Sequence, residues 1–423
     1  MTVRKAAFGF IFVTVLLDML SFGIIIPVLP QLVLNFLHGD TKQASQMFGL
    51  FGTIFALMQF VAAPVLGALS DRFGRCRVVL LSNAGMAFDY GIMAMAPTIG
   101  WLFLGRLISG ATAASISTAY AYIADVTTPE KRAGNFAVLN GAFGLGFIIG
   151  PAVGGLLGSV DPRLPFWVAA GCAAVNWLYG FFVLPESLSA EKRSERIQWS
   201  RANPVGSLKL LRSHPVLLGL AGVMFLAYLA HESFNTFVLY GDYRYAWDTR
   251  TVGITLAIVG FFSVIVQVGL VRRVVAAIGE RRALIIGLAF GTVGFTAFGL
   301  APTSVLFWSS IPLINLWGLA TPSAQGLMSP LVAPSEQGRL QGALTSVRGI
   351  AMLMGPVIFA STFAAFIGPL RNWNQPGAAY LLAGLVLAAA IVLAWRVAPA
   401  SDANKLTPQQ LNVVEAVELS VVD

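Results

Sequence analysis

Six ionisable side chains lie inside long apolar stretches of this sequence. A charge surrounded by apolar material costs so much free energy that it usually faces a partner or a water-filled cavity. A carboxyl group in such a place can bind and release a proton, so the pattern predicts a site that handles protons or charged cargo. The acidic members of the set are Asp18, Asp89 and Glu232, and the others are Arg106, His231 and Arg348.

The apolar stretches themselves determine the fold class. The 423 residues are 57% hydrophobic and only 11% charged, whereas soluble domains carry about 25% charged residues. Apolar blocks of about 20 residues that tolerate Gly and Pro are typical of membrane-spanning helices. The sequence therefore predicts an all-α membrane protein with twelve transmembrane helices. The predicted spans are 6–36, 46–69, 78–96, 99–123, 134–158, 164–184, 215–240, 250–271, 283–301, 304–331, 339–367 and 377–398.

Lysine and arginine are distributed unequally between the two sides of these spans. Of the 27 basic residues, 20 lie in loops and tails on the side of the N-terminus and 5 on the other side. Because basic loops stay in the cytoplasm, both termini are expected there. The net charge of +8 then reflects topology and not nucleic-acid binding. We predict six-helix halves over 1–184 and 215–398, a cytoplasmic linker over 185–214 and a cytoplasmic tail over 399–423.

The two halves repeat weakly at a single offset. The segment 127–151 aligns with 332–356 without a gap, and two parallel six-helix repeats are a known transporter plan. The matching pairs are Pro129 and Pro334, Gly150 and Gly355, Pro151 and Pro356, Gly74 and Gly279, and Arg77 and Arg282.

Two further patterns concern a loop and a helix. The loop GALSDRFGRCR at 67–77 concentrates charge between the second and third spans. Topology explains its arginines but not Asp71, and Gly74 permits a tight turn there. In the fifth span, small residues at every fourth position form one stripe that lets a neighbouring helix approach. With Pro151, this stripe predicts a bendable helix at the seam between the halves. The stripe comprises Ala142, Gly146, Gly150, Gly154 and Gly158.

These motifs resemble those of the major facilitator superfamily, and within it the tetracycline/proton antiporter branch of drug efflux transporters. GALSDRFGRCR is similar to the superfamily's loop signature, and GLGFIIGPAVGG to its antiporter motif. LLDMLSFGIIIPVLP, AFDY, GRLISG and FVLYGDYRYAW resemble the tetracycline branch. The resemblance covers nearly the whole chain and implies the major facilitator fold.

The resemblance also implies roles for the two motifs. Asp71 would lock the two halves together on the cytoplasmic side, near a helix end where a carboxylate meets backbone N–H groups and basic neighbours. Cys76 and Arg77 depart from the family pattern at the end of the loop. The gating motif would comprise Gly67, Asp71, Arg72, Gly74 and Arg75, and the antiporter motif Gly146, Gly150, Pro151, Gly154 and Gly155.

Proton coupling is the role that the resemblance implies for Asp18, Asp89 and Arg106. In the resembling antiporters the two acids are needed for coupled transport, and the arginine is linked to proton relay. Two alternatives stay open. Asp18 could instead form a permanent ion pair with Arg106, and Arg106 could be a hydrogen-bonding anchor between helices.

Two coupling residues of the tetracycline branch are missing here. Ser263 lies near the place of its histidine in span eight, and the ninth span carries no acid. We expect His231 and Glu232 to supply the missing titratable groups, because histidine titrates near neutral pH, and Glu232 to pair with Arg348. The alternative places His231 and Glu232 at the outer mouth, solvated and incidental.

Uncharged polar residues inside the spans are candidates for binding cargo in a central cavity. The set is Gln59, Asn83, Asn140, Asn176, Asn235, Gln267, Asn315 and Gln325. We expect the substrate-binding residues to be Gln59, Gln267, Asn315 and Gln325, together with Arg348.

Motifs for other functions are not found in the sequence. It has no GxxxxGK[ST], HExxH, GxSxG or His/Cys metal cluster, so we expect neither an enzyme nor a cofactor or metal. We predict a monomeric proton-coupled exporter of small amphipathic compounds in a bacterial inner membrane, with tetracycline as one candidate cargo. A facilitator or symporter for a metabolite such as a sugar is the alternative within the class. A transporter-like receptor is the alternative outside it, and sensitivity of cargo movement to an uncoupler separates these possibilities.

Overall fold

The computed structural model of the protein describes residues 2–113, 115–189, 191, 193, 206–333 and 336–399. In this part of the chain, twelve helical segments are long and apolar enough to cross a membrane. This confirms the predicted all-α class and the predicted positions of the spans. Span 1 to span 12 run over Phe8–Phe36, Thr41–Phe73, Arg75–Met95, Ile99–Val126, Gly134–Val160, Leu164–Val183, Pro215–Tyr245, Thr249–Ile278, Glu280–Leu300, Ser304–Leu331, Gln337–Ile367 and Ala378–Val397.

Seven of these spans are single helices in the described chain, and span 5 begins one turn early as Pro129–Val160. The other five are interrupted. Span 1 comprises Thr2–Ile25 and Leu29–Phe36, and span 4 comprises Ile99–Thr112 and Ser115–Val126. Span 7 comprises Pro215–His231, the 3₁₀ turn Glu232–Thr236 and Phe237–Tyr245. Span 8 comprises Thr249–Val264, the π-helical turn Ile265–Leu270 and Val271–Ile278. Span 10 is divided into Ser304–Ser309, Ile311–Asn315, Leu316–Leu319, Ala320–Met328 and Ser329–Leu331.

Span 1 breaks where the sequence places two prolines. The first helix ends at Ile25, two residues before Pro27, and the second begins at Leu29 with Pro30 in its first turn. Residues before a proline avoid the helical region, whereas the first turn of a helix accepts proline. Asp18 therefore lies in regular helix, two turns before the break.

The interruptions of spans 7, 8 and 10 occur near the middle of each span. Irregular backbone at that depth is tolerated where it is covered by protein or lines a water-filled cavity. In span 7 the change from α-helix to 3₁₀ turn falls between His231 and Glu232. The C-terminal spans thus place two ionisable residues at a backbone irregularity.

Two pairs of spans join the first six spans to the last six. Span 2 packs along span 11, and span 5 packs along span 8. A Cβ on Gly49 would lie 2.9 Å from the carbonyl oxygen of Pro356, and a Cβ on Gly253 would collide with the carbonyl oxygen of Pro151. Because the two prolines are equivalent positions of the repeat, the two seams are equivalent contacts.

The helix of span 5 lies at the seam with span 8, but most of its glycine stripe faces span 1. A Cβ on Gly150 would lie 2.6 Å from the Cα of Gly23, and a Cβ on Gly154 would collide with the same helix. The seam instead uses Gly155, whose Cβ would lie 2.7 Å from the carbonyl oxygen of Thr249. Successive residues are rotated by about 100° around a helix, so Gly154 and Gly155 face different neighbours.

Part of the predicted linker packs beneath the C-terminal spans. The 3₁₀ helix Gly206–Ser213 contacts spans 7 and 11, with Leu210 and Leu211 buried. Residues 190, 192 and 194–205 of the predicted linker, and the predicted tail from residue 400 onward, lie outside the described residues.

Candidate functional site

The carboxylate of Asp18 lies in a buried contact between spans 1 and 6. Asn176 Nδ2 donates to Asp18 Oδ1 at 2.7 Å and to the carbonyl oxygen of Thr14 at 2.9 Å. Asp18 is 1% exposed and Asn176 is 0% exposed. A neutral amide donor can serve either an ionised or a protonated carboxyl group. This contact is therefore compatible with an Asp18 carboxyl group that binds and releases a proton.

The second buried carboxylate, Asp89, forms an ion pair with Arg106. Arg106 Nη2 lies 3.1 Å from Asp89 Oδ2, and neither side chain is more than 9% exposed. The guanidinium also lies over the ring of Phe55 from span 2. The alternative in which Arg106 pairs with Asp18 is wrong. Gly105 has no side chain, and this lets the Asp89 carboxylate pack against span 4 beside Arg106.

Asp18 and Asp89 belong to one buried polar region inside the first six spans. Tyr90 is fully buried and within electrostatic range of both carboxylates. Asn83, one of the candidates for cargo binding, is also 0% exposed here. The polar interior of these spans is therefore separate from the surface that a cargo molecule could reach.

The charged loop between spans 2 and 3 forms a cluster within the first six spans. Arg75 Nη1 lies 2.6 Å from Asp71 Oδ1, and Arg75 Nε lies 3.1 Å from Asp125 Oδ2 of span 4. Gly74 adopts φ +106°, in the region that glycine favours. Asp71 has no ion pair with the last six spans in the described chain, so the expected lock between the halves is not formed in this structure.

Glu186, which follows span 6, binds the N-terminal end of the span 3 helix. This is the kind of contact with backbone N–H groups that was expected for Asp71. The backbone N–H groups of Arg75 and Cys76 donate to the Glu186 carboxylate at 2.8 and 3.3 Å. Asp71 cannot reach them because it lies near the C-terminal end of the span 2 helix. Of the other predicted gate residues, Arg72 stacks on Phe73, and a Cβ on Gly67 would meet no atom within 4 Å.

His231 and Glu232 lie at the middle of span 7 and not at the outer mouth. Asn235 Nδ2 donates to Glu232 Oε2 at 2.8 Å, and the His231 ring lies 6.0 Å from the Trp317 ring of span 10. His231 is nevertheless exposed. A side chain that is exposed at mid-membrane depth and packed among protein rings lines an interior cavity.

Arg348 of span 11 lies nearby, but the expected ion pair with Glu232 is not formed. The guanidinium lies 5.9 Å from the centre of the Tyr228 ring, and no carboxylate of the described residues lies within 4.0 Å of it. Stacking on Tyr228 directs the arginine away from Glu232, so the two charges interact only over a longer range. Gln325 of span 10 is a polar neighbour of the Tyr228 hydroxyl.

The remaining predicted cargo residues differ in their surroundings. Asn315 donates to the carbonyl oxygen of Ile311 in its own helix at 2.8 Å, which occupies one of its donors. Gln267 is exposed and lies beside Gly318 of span 10. Gln59 is half-buried on span 2. Of the four glutamines and asparagines, Gln325 is the one that joins the Arg348 group.

Sequence reasoning missed the aromatic members of this region. Tyr120 of span 4 is hydrogen-bonded to Asn140 of span 5 and lies within electrostatic range of Arg348. Tyr228 precedes Glu232 by four residues, and that spacing places both on one helix face. This spacing is a signal in the sequence that could have identified Tyr228.

The two sets of spans meet at the end remote from the basic loops. Ser45 Oγ donates to the carbonyl oxygen of Ala360 at 2.9 Å, and Thr53 Oγ1 to that of Leu353 at 3.1 Å. Both bonds join spans 2 and 11, and the Ser45 bond lies towards the end of these spans that is remote from the basic loops. Helix Leu29–Phe36 also packs against helix Phe237–Tyr245 at that end. This end of the molecule is therefore closed.

Comparison of the sequence with known proteins identifies related transporters. A sequence model of the Major Facilitator Superfamily matches residues 11–356. The chain is 34% identical to "Tetracycline resistance protein, class C" of Escherichia coli, over 85% of this chain and 90% of that protein. It is 35% identical to "Tetracycline resistance protein, class G" of Vibrio anguillarum, over 84% of this chain and 90% of that protein.

Solved structures with the same architecture include two transporters. The human organic anion transporter MFSD10 (TETRAN) superposes with a TM-score of 0.69 at 25% identity, over 92% of this chain and 99% of that one. The nucleoside transporter NupG superposes with a TM-score of 0.73 at 15% identity, over 92% of this chain and 98% of that one. The second likeness concerns the fold alone.

Proposed function

This chain belongs to the Major Facilitator Superfamily, and from that premise we propose that it is a proton-driven exporter of small amphipathic compounds. The curated relatives quoted above are named as tetracycline resistance proteins. Tetracycline is therefore one candidate cargo, and other amphipathic drugs or a natural metabolite are the others. The proposed cycle moves cargo and protons and makes or breaks no covalent bond, so the protein acts as a transporter and not as an enzyme.

The observation that carries this proposal is the pair of carboxyl groups inside the first six spans. Asp18 is held by a neutral amide, and Asp89 by one guanidinium. Buried polar and ionic contacts contribute little net stability compared with apolar packing, so two buried carboxyl groups inside a membrane bundle support a functional role. We propose that Asp18, Asp89 and Arg106 carry the transported proton and that His231 and Glu232 add titratable groups in the second half.

Alternating access would move the halves 1–184 and 215–398 against each other around the central cavity. The loop cluster at Asp71 and Arg75 would then gate the cytoplasmic end, and the glycines of span 5 would let that helix slide on its neighbours. The linker 185–214 would connect the halves, and 399–423 would be a cytoplasmic tail. We further propose cytoplasmic termini, a bacterial inner membrane and a functional monomer, on the basis of the charge bias and the bacterial relatives.

A vesicle experiment tests the function. Inside-out membrane vesicles containing the protein are given an acidic interior and a pH dye, and tetracycline and other amphipathic compounds are added one at a time. We expect at least one compound to release protons from the parent and none to do so from Asp18→Asn. The control is Gln341→Ala, a change at an exposed residue in the second turn of span 11 that should leave proton release intact.

Two results would contradict the proposal. Compound movement that is unaffected by an uncoupler would indicate a facilitator. The absence of proton release for every compound, in folded protein, would leave uptake of a metabolite as the better account.

A further inference from the structure

Glu232 and Arg348 face one cleft from two helices without being bonded to each other. Glu232 packs against Gly355 of span 11, because a Cβ on that glycine would collide with the Glu232 side chain. Arg348 precedes Gly355 by seven residues, or two helical turns. Arg348 and Gly355 therefore lie on nearly the same face of the span 11 helix, about 10 Å apart along its axis. The cleft between spans 7 and 11 therefore has a negative end and a positive end.

Both charges remain available to a ligand. Neither Glu232 nor Arg348 forms an ion pair within 4.0 Å in the part of the chain that the structure describes. Arg348 is exposed, and a guanidinium that lies over a tyrosine ring keeps its N–H edge for a carboxylate or similar anion. Glu232 is held by the neutral Asn235 amide, which leaves its charge uncompensated at short range.

Aromatic rings of spans 7 and 10 lie close to these two charges. Tyr228 lies beneath Arg348, and the His231 ring contacts Phe234 and Trp317 at centroid distances of 5.5 and 6.0 Å. The Trp317 Nε1 donor is buried and has no acceptor among the residues that the structure describes. Stacking surfaces with one spare donor favour a planar ring system that carries hydrogen-bond acceptors.

We propose that this cleft is a two-pole site for zwitterionic aromatic compounds. Glu232 binds the protonated amine of the cargo, Arg348 binds its carboxylate or enolate, and the rings of Tyr228, His231 and Trp317 stack on the planar system between them. This inference rests on the proposed export function and specifies the chemistry of the cargo.

The two-pole site also fits antiport. A carboxylate that binds the amine of the cargo cannot hold the transported proton at the same time, and an exporter driven by protons requires that exclusion. The titratable and charged groups near Glu232 are its chain neighbour His231 and Tyr228, one turn earlier, on its own span, and Arg348, within electrostatic range on span 11. Of these, only Arg348 carries a permanent charge.

Three ligands with one ring system test the proposal by equilibrium binding to purified protein in lipid nanodiscs. Ciprofloxacin carries both charges, its methyl ester carries only the amine charge, and its N-acetyl derivative carries only the carboxylate. We expect Glu232→Gln to weaken ciprofloxacin and the ester by roughly tenfold, the scale of one lost charge-assisted contact. The N-acetyl compound should be unaffected by that change. Arg348→Gln should weaken binding of ciprofloxacin and the N-acetyl derivative and leave binding of the methyl ester unchanged.

Matched controls keep this test decisive. Glu336→Gln and Arg339→Gln neutralise an exposed ion pair at the start of span 11 and should leave binding of all three ligands unchanged. Equal weakening of all three ligands by Glu232→Gln, or no effect of either cavity variant, would overturn the two-pole site. If the parent binds none of the three but releases protons with another compound, the site is overturned and the export function stands. If the folded parent neither binds these ligands nor releases protons with any compound, the two-pole site and the export function are both overturned.

Discussion

At the scale of single residues, the Asp89–Arg106 pair separates proton coupling from simple anchoring. Removing either partner leaves a charge buried without compensation, which destabilises a protein by about 3–5 kcal/mol. We therefore expect Asp89→Leu and Arg106→Leu each to lower the thermal unfolding temperature in detergent. The double variant should regain most of the lost stability, because it buries no charge.

Transport by the double variant then distinguishes the two roles. If the pair carries protons, the double variant folds but releases no protons when cargo is added to vesicles. Recovery of proton release together with stability would show that Arg106 only anchors span 4 to span 3.

Asp248 supports a second prediction at the scale of single residues. It precedes the span 8 helix, and its carboxylate accepts from the Thr251 backbone N–H at 2.8 Å. Hydrogen bonds from Thr251 hold the pKa of Asp248 below its ordinary value. A depressed carboxyl pKa contributes stability above the unfolded pKa of about 4, and that stability is lost as pH falls through the folded pKa.

Asp248→Ala should therefore lower the free energy of unfolding by about 1 kcal/mol at neutral pH, the usual value of a helix cap. The difference from the parent should shrink below about pH 4, and Asp248→Asn should retain most of the stability because asparagine also caps helices. Thermal unfolding in detergent, from neutral pH to below about pH 4, measures the difference in stability between each variant and the parent. An Asp248→Ala variant as stable as the parent at neutral pH would refute the cap.

At the scale of elements, the contact between spans 1 and 5 depends on the missing side chain of Gly150. A Cβ there would lie 2.6 Å from the Cα of Gly23, so the two backbones would have to separate. Gly150→Ala should destabilise the protein by about 1–3 kcal/mol, as overpacking does. Gly141→Ala on the same helix is the matched control, because a Cβ there meets no atom within 4 Å.

The control should behave in the opposite way. Alanine favours a helix over glycine by about 1 kcal/mol, so Gly141→Ala should be neutral or stabilising in the same thermal measurement. Equal behaviour of the two variants would mean that spans 1 and 5 are not in tight contact.

At the scale of the whole molecule, the closed end remote from the basic loops must open if cargo is exported by alternating access. Ser45 and Ala360 meet across the seam between spans 2 and 11. Cysteines at both positions, in a background with Cys76→Ser and Cys172→Ser, can be joined by a short thiol cross-linker. We expect the cross-link to reduce cargo-driven proton release by at least about tenfold, the effect of holding one state by 1.4 kcal/mol or more.

A reducing agent that cleaves the cross-linker should restore activity, and each single-cysteine variant should be insensitive to the reagent. Full activity in cross-linked protein would show that the halves need not separate at this end.

The sequence by itself determined the class of the molecule. Runs of apolar residues must be helical in a membrane because every backbone polar group needs a partner within the segment, and the predicted spans agree with the structure for this reason. The break in span 1 before Pro27 has an equally local cause. The resemblance of the loop and span 5 motifs correctly indicated the superfamily, since those motifs are contiguous in the chain.

Only the tertiary structure decided which charges meet. Arg106 pairs with Asp89 and not with Asp18, because Gly105 opens space for one carboxylate on the facing helix. Glu232 and Arg348 stay apart, because the arginine stacks on Tyr228. Gly150 and Gly154 of span 5 face span 1 while Gly155 faces span 8, because helix rotation fixes a neighbour that one-dimensional spacing does not specify. Contacts between helices depend on side-chain volume and rotation at positions far apart in sequence, and so they emerge only when the bundle is assembled.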